Sequence, residues 1–177
     1  MSDRLERTSL ILFSGLPGSG KTTLARQVAQ HLKIPVFGKD RIQAALRMHD
    51  LAERVSAHGY LIMLDQADEQ LSLGLSVVLE AVFPLKQFRE QAWEIANRHH
   101  AAFRTIYVYC SDDEIWKARM TNRMLYVPNW TPVGWEDVTR LRTYFEPWDA
   151  TTTLFVDSLQ SAEHNLEPVL DWIFRTS

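Results

Sequence analysis

The run Gly15-Leu16-Pro17-Gly18-Ser19-Gly20-Lys21-Thr22 fits G-x-x-x-x-G-K-[S/T] at every fixed position, and its residue types suit a polyphosphate. Glycine lets the backbone turn so that successive N–H groups converge on phosphate oxygens, and a helix starting there adds the positive end of its dipole. The Lys21 ammonium can neutralise β- and γ-phosphates, the Thr22 hydroxyl is placed for a magnesium ion bridging them, and Thr23 offers one more contact. A glycine-rich turn that only happens to carry a lysine needs neither a strand before it nor a helix behind it. Both are legible here: residues 8–14 form an apolar stretch that stops at Gly15, and Leu24, Val28 and Leu32 recur every four positions behind the loop.

The loop alone does not choose among kinases, GTPases and motor ATPases. A GTPase needs N-K-x-D and D-x-x-G, and no Asn here precedes Lys and no Asp has Gly three positions on. A mechanical ATPase carries Asp-Glu at a strand end, whereas Val77-Val78-Leu79-Glu80-Ala81 offers one carboxylate. A small-molecule kinase needs a carboxylate near the acceptor hydroxyl, cations for the migrating phosphoryl group and a lid against water. Asp40, just after the second strand, lies where such folds place ligands and can orient and deprotonate a hydroxyl. It would serve equally as a helix N-cap. Arg119 and Arg123, four apart, share a helix face on which an anion would offset their repulsion, although Asp112, Asp113 or Glu114 could instead pair with them. Glu80 could bind a magnesium-bound water or substrate, or pair with an Arg, and Arg89 one turn into the next helix is open in the same way. Six rings between residues 126 and 148 (Tyr126, Trp130, Trp135, Tyr144, Phe145 and Trp148) suit a core cluster, stacking on a ligand or a wall closing the cleft.

Further elements carry these residues. Residues 34–37, 75–83, 103–110 and 151–156 read as strands. Helical spacing marks the stretch from about Lys39 to Leu46, then residues 53–73, 87–100, 112–124, 135–145 and a terminal helix capped by Ser161, in which Pro168 predicts a bend or late start. Strands alternating with helices predict a three-layer α/β sandwich on a five-stranded, mostly parallel sheet, as one domain over residues 1–177 with a helical lid near 112–135.

Composition agrees with a globular enzyme-sized domain, at 46% hydrophobic and 23% charged over 177 residues. Nineteen basic against 22 acidic residues, net −3, announce neither a nucleic-acid nor a membrane partner. Cys110, the single cysteine, excludes an internal disulfide and a thiolate metal cluster, and the apolar run 10–13 is too short for a membrane span. A cytoplasmic setting is expected.

From about Leu10 to Asp157 the chain resembles P-loop kinases grouped around phage polynucleotide kinase, zeta toxin and chloramphenicol phosphotransferase, often named AAA family ATPases. The resemblance rests on the Gly15–Thr22 loop, Lys39-Asp40, Gly74-Leu75-Ser76-Val77-Val78-Leu79-Glu80-Ala81 with Arg89 downstream, and Arg119-Met120-Thr121-Asn122-Arg123. It implies Asp40 as general base, Lys21 and Arg123 as stabilisers of the transferring phosphoryl, Arg119 as a lid residue and a five-stranded parallel sheet. Two departures matter. Gln43 stands where polynucleotide kinases carry an acceptor-contacting Arg, and Glu80 stands where the family has Asp, one methylene shorter. The sequence therefore points to an ATP- and magnesium-dependent kinase of a small-molecule hydroxyl, neutral or differently placed, with Asp40, Gln43, Glu80 and Arg89 toward the acceptor. The alternatives are an ATP-binding switch or slow ATPase, and a polynucleotide 5′-hydroxyl kinase, the latter disfavoured by Gln43 and the net charge.

Overall fold

A computed structural model describes residues 5–48, 57–121 and 133–175. Five parallel strands, β1 (Ser9–Ser14), β2 (Val36–Gly38), β3 (Val77–Glu80), β4 (Ala102–Tyr109) and β5 (Thr153–Asp157), lie in the order β2-β3-β1-β4-β5. The chain thus reverses its direction of winding at β1, and the crevice at such a switch point is where open α/β sheets bind ligands.

β1 is central and buried along its whole length, so its sequence is an unbroken apolar run. Its alternate residues feed two cores. Leu10 and Leu12 pack under α3 (His58–Ser72) and α4 (Lys86–Arg98), while Ile11 and Phe13 pack under α1 (Lys21–Leu32) and α7 (Ala162–Phe174). Helices therefore cover both faces, as expected. β3 proves shorter than the apolar stretch 75–83. Past Glu80 the chain turns through Phe83, buried with a left-handed φ of 50° and fixed because its N–H donates to the Tyr60 hydroxyl at 3.0 Å.

α2 (Lys39–Met48) follows β2 without a loop, which puts Asp40 in the first helical turn rather than at a cap. Beyond β4 come α5 (Asp113–Thr121) and α6 (Trp135–Tyr144), the described ends of the expected lid. Asp112 starts α5 by accepting from the N–H groups of Glu114 and Ile115, both at 2.9 Å. Pro168 lies inside α7 and does not delay its start, contrary to one of the two effects expected of it. The helix starts at the Ser161 cap, whose hydroxyl accepts from the His164 N–H, and Val169 and Ile173 hold the later turns in the core.

Gly15 joins β1 to the phosphate loop with φ 153°, and a Cβ there would lie 2.2 Å from the Val108 carbonyl oxygen on the neighbouring strand. No rotamer relieves a clash with backbone. Gly15→Ala should therefore cost about 3 kcal/mol and lower the melting temperature by roughly 6 °C or more, and an unchanged thermal melt would contradict this packing.

Candidate active site

One rung of the sheet assembles the site. Glu80 is paired in register with Phe13 on one side and Gly38 on the other. Two residues beyond Phe13 the loop begins at Gly15, and two beyond Gly38 stands Asp40. At about 4.8 Å between strands, the two ligand-facing ends lie about 10 Å apart with Glu80 between them.

The Glu80 carboxylate is nearly inaccessible, and its Oε1 accepts from the Thr22 hydroxyl at 2.9 Å while standing 3.5 Å from the Lys21 ammonium. Sequence reasoning left Glu80 open to pairing with an arginine, and its partners are instead two phosphate-loop residues. A hydroxyl and a carboxylate so close are hard oxygen donors of the kind magnesium takes when phosphates and waters complete its shell. Among the described residues there is no group of three or more His, Cys, Asp or Glu that could hold a metal ion.

Gly18 has φ 78°, a conformation that favours glycine, and a Cβ on it would lie 2.3 Å from Met120 Sδ, so any side chain there would have to displace Met120 of α5. The backbone bonds Ser19 N–H to Leu16 O, and Thr23 and Leu24 N–H to Gly20 O. The Lys21 and Thr22 N–H groups, in the first turn of α1, form no such bond among the described residues, which is the condition for binding an anion. Pro17 holds the loop to α5, since its carbonyl accepts from the buried Trp116 indole at 2.8 Å. Trp116 packs edge-on to Trp135, and the Arg142 guanidinium, paired with Asp113, lies over both rings. Sequence reasoning singled out neither Trp116 nor Arg142. A lone Trp in an otherwise charged helix was the available signal.

The remaining candidates separate. The Asp40 carboxylate stays partly exposed, with the Lys39 ammonium 4.0 Å away. Gln43, on the same helix face, is buried, and its Oε1 has no partner among the described residues. Arg119 does not meet the acidic residues at its own helix start: it donates to the Ser158 hydroxyl and carbonyl, each at 2.9 Å, and Ser158 lies against Gly20. Its guanidinium thus sits at the rim of the phosphate loop. Arg123 lies outside the described residues, as do Tyr126 and Trp130.

Arg89 is a clasp. Its guanidinium donates to the carbonyls of Phe83, Pro84, Glu146 and Pro147, at 2.9, 3.3, 2.6 and 3.0 Å, and lies 4.1 Å over the Trp148 ring. Burial pushes its pKa down to about 10, so it stays charged at neutral pH. This placement speaks for binding the segment after α6 to the turn after β3, and the acceptor role expected of Arg89 finds no support in it. The Trp148 indole in turn donates to Ser14, immediately before the loop, at 3.1 Å. Phe145 and Trp148 with Leu16, Tyr107, Tyr109 and Phe155 line a cavity of about 420 Å³, while Trp135 packs against the small core around Trp116 and Trp148 also against the core under α4.

A family model described as an AAA domain matches residues 10–148. The chain belongs to this family. Solved structures share its fold: a sugar kinase from Janibacter sp. has 18% identity with 94% of each chain covered and a TM-score of 0.71. A putative kinase from Chloroflexus aurantiacus has 20% identity over 94% of this chain and 99% of that one, TM-score 0.73. A gluconokinase from Sinorhizobium meliloti has 18% identity over 96% and 93%, TM-score 0.64. No curated protein matches the chain. Among the described residues no helix is long and apolar enough to cross a membrane.

Arg89→Met should cost about 3 kcal/mol of unfolding free energy, because four carbonyls lose one charged donor. Arg89→Lys should recover little, since an ammonium cannot span them. Urea unfolding measures this, and undiminished stability would return Arg89 to the ligand.

Proposed function

We propose that this chain is an ATP- and magnesium-dependent kinase that moves the γ-phosphoryl group to a hydroxyl of a small molecule. The observation that carries the reading is the rung at Glu80, which holds a phosphate loop and a separate, accessible carboxylate at Asp40 on one rim of the sheet. A switch that only hydrolyses nucleotide needs the first and has no use for a carboxylate aimed at a second reactant. The likeness to a sugar kinase and a gluconokinase supports the same class.

The loop N–H groups and Lys21 would bind the β- and γ-phosphates, with Thr22 and Glu80 beside them as magnesium-holding groups. Magnesium, when bound, supplies neutralisation of the phosphate charge. Asp40 accepts a hydrogen bond from the acceptor hydroxyl and then its proton, as the oxygen bonds to the γ-phosphorus and the bond to the β,γ-bridging oxygen breaks, releasing ADP. Arg119 at the loop rim and Arg123 complete the electrostatic clamp and, with the lid helices, keep water from competing.

ADP release by purified protein, alone and with sugars, sugar acids, nucleosides, aminoglycosides, chloramphenicol and 5′-hydroxyl oligonucleotides, tests this. One acceptor class should raise turnover, and Asp40→Asn should lower that stimulated kcat by about 10²- to 10⁴-fold with little change in ATP affinity. Lys21→Met should weaken nucleotide binding and transfer together. Turnover indifferent to every acceptor and to Asp40 would make the chain a nucleotide-dependent switch. Oligonucleotide stimulation that falls steeply with salt would make it a polynucleotide kinase.

A further inference from the structure

Lys39 is a charged group of this site that touches the base Asp40 only at the limit of an ion pair. Its side chain is 15% exposed, wedged between α2 and the start of α3, where a Cβ on Gly59 would lie 3.2 Å from Lys39 Cγ. The ammonium stands 5.5 Å from the Tyr60 ring centre, over its face, and its nearest described carboxylate, Asp40, is at 4.0 Å, outside hydrogen-bond reach. Burial lowers its pKa, Asp40 opposes this, and the charges of Arg47 and Lys21 lower it further. The long ion pair with Asp40 and the Tyr60 face offset part of the cost of that burial, and the ammonium, which makes no hydrogen bond shorter than this pair among the described residues, keeps donors to offer an anion.

A second group points the same way. Gln43 lies four positions after Lys39, so the two share a face of α2. It is 7% exposed, yet its Oε1 has no partner among the described residues. Since the two amide ends exchange by a flip, the side chain can turn either a donor or an acceptor toward a ligand. The Lys39 ammonium stands 4.0 Å from the Asp40 carboxylate and Gln43 follows Asp40 by one helical turn, so an acceptor whose hydroxyl reaches Asp40 would bring its neighbouring substituents near both.

We propose that Lys39, helped by the Gln43 amide, is an oxyanion subsite for the acceptor, and that the acceptor is an alcohol carrying a carboxylate, phosphate or sulfate near the hydroxyl that is phosphorylated. This rests on the kinase reading and refines its substrate class. Loop and subsite bind separate anions, Lys21 the nucleotide and Lys39 the acceptor.

The first test needs no turnover. With the loop saturated by magnesium and AMPPNP, inorganic sulfate titrated calorimetrically should bind, Lys39→Met should raise its Kd at least about tenfold, and Lys39→Arg should restore most of the affinity. Unchanged AMPPNP affinity and thermal melting would show that Lys39→Met is folded. Sulfate that fails to bind, or binds Lys39→Met as well as the parent, overturns the subsite. Turnover of paired acceptors then reads the class: gluconate or glucose 6-phosphate against glucose, and glycerate against glycerol. The anionic member should have the higher kcat/KM, with the Lys39→Met loss falling on its KM. Equal use of both members, or an equal kcat loss for both, overturns the proposal. Lys39-dependent sulfate binding without any acceptor-stimulated turnover would keep the anion subsite and defeat the kinase reading, so the two fail separately.

Discussion

The register that pairs Glu80 with both Phe13 and Gly38 is the constraint on which the site depends. Side chains alternate along strands with period two, so slipping β3 by one residue would carry Glu80 to the other face and leave Lys21 and Thr22 without their shared carboxylate oxygen. The register is itself held by burial. Val77, Val78 and Leu79 are inaccessible, and their alternate side chains enter two different cores, which no shifted pairing would fill.

The turn beyond β3 is tied down just as firmly. The Phe83 backbone is in a conformation that costs of order 1 kcal/mol or more in a bulky residue, and it persists because Tyr60 meets its N–H and Arg89 its carbonyl. The other arms of Arg89 reach residues 146 and 147, and Trp148 next to them bonds Ser14 at the end of β1. Ser14 closes the ring by donating to the Val82 carbonyl at 2.7 Å. The turn after β3, the strap after α6 and the entry to the phosphate loop thus form one hydrogen-bonded unit. This explains why a long cationic side chain is buried here without a described carboxylate at hydrogen-bond distance: carbonyl dipoles and a Trp face serve as its counter-charge.

The fold was legible because its signals were local. A buried parallel strand shows as an apolar run, and Leu24, Val28 and Leu32 mark a helix from sequence alone; the Ser161 cap and the order of strands and helices were read in the same way. Distant partners decided the rest. Arg89 reads as a possible ligand group until residues 146 and 147, far along the chain, arrive to take its protons. Trp116 is one ring in a charged helix until Pro17 supplies an acceptor 99 positions away. Pro168 carries a real local penalty, and packing of Val169 and Ile173 outweighed it. Lys39 stood in view beside Asp40, but only its burial without a close acceptor among the described residues separates it from an ordinary surface lysine.

Glutamate in place of aspartate at position 80 acquires a physical reason from the same geometry. Its carboxylate must cross from the end of β3 to α1, where one oxygen takes the Thr22 proton and faces the Lys21 ammonium. Aspartate, a methylene shorter, would leave that oxygen farther back and require something in between. The longer side chain therefore fixes Lys21 and Thr22 by direct contact, and because Lys21 is 2% exposed, that contact also compensates a cation otherwise deep in the fold. The balance of charge around Lys21 is thus set largely by one carboxylate. A second cation, Lys39, lies outside that contact and pairs with Asp40 instead, so the two ends that β3 separates on one rung each carry their own ammonium and carboxylate.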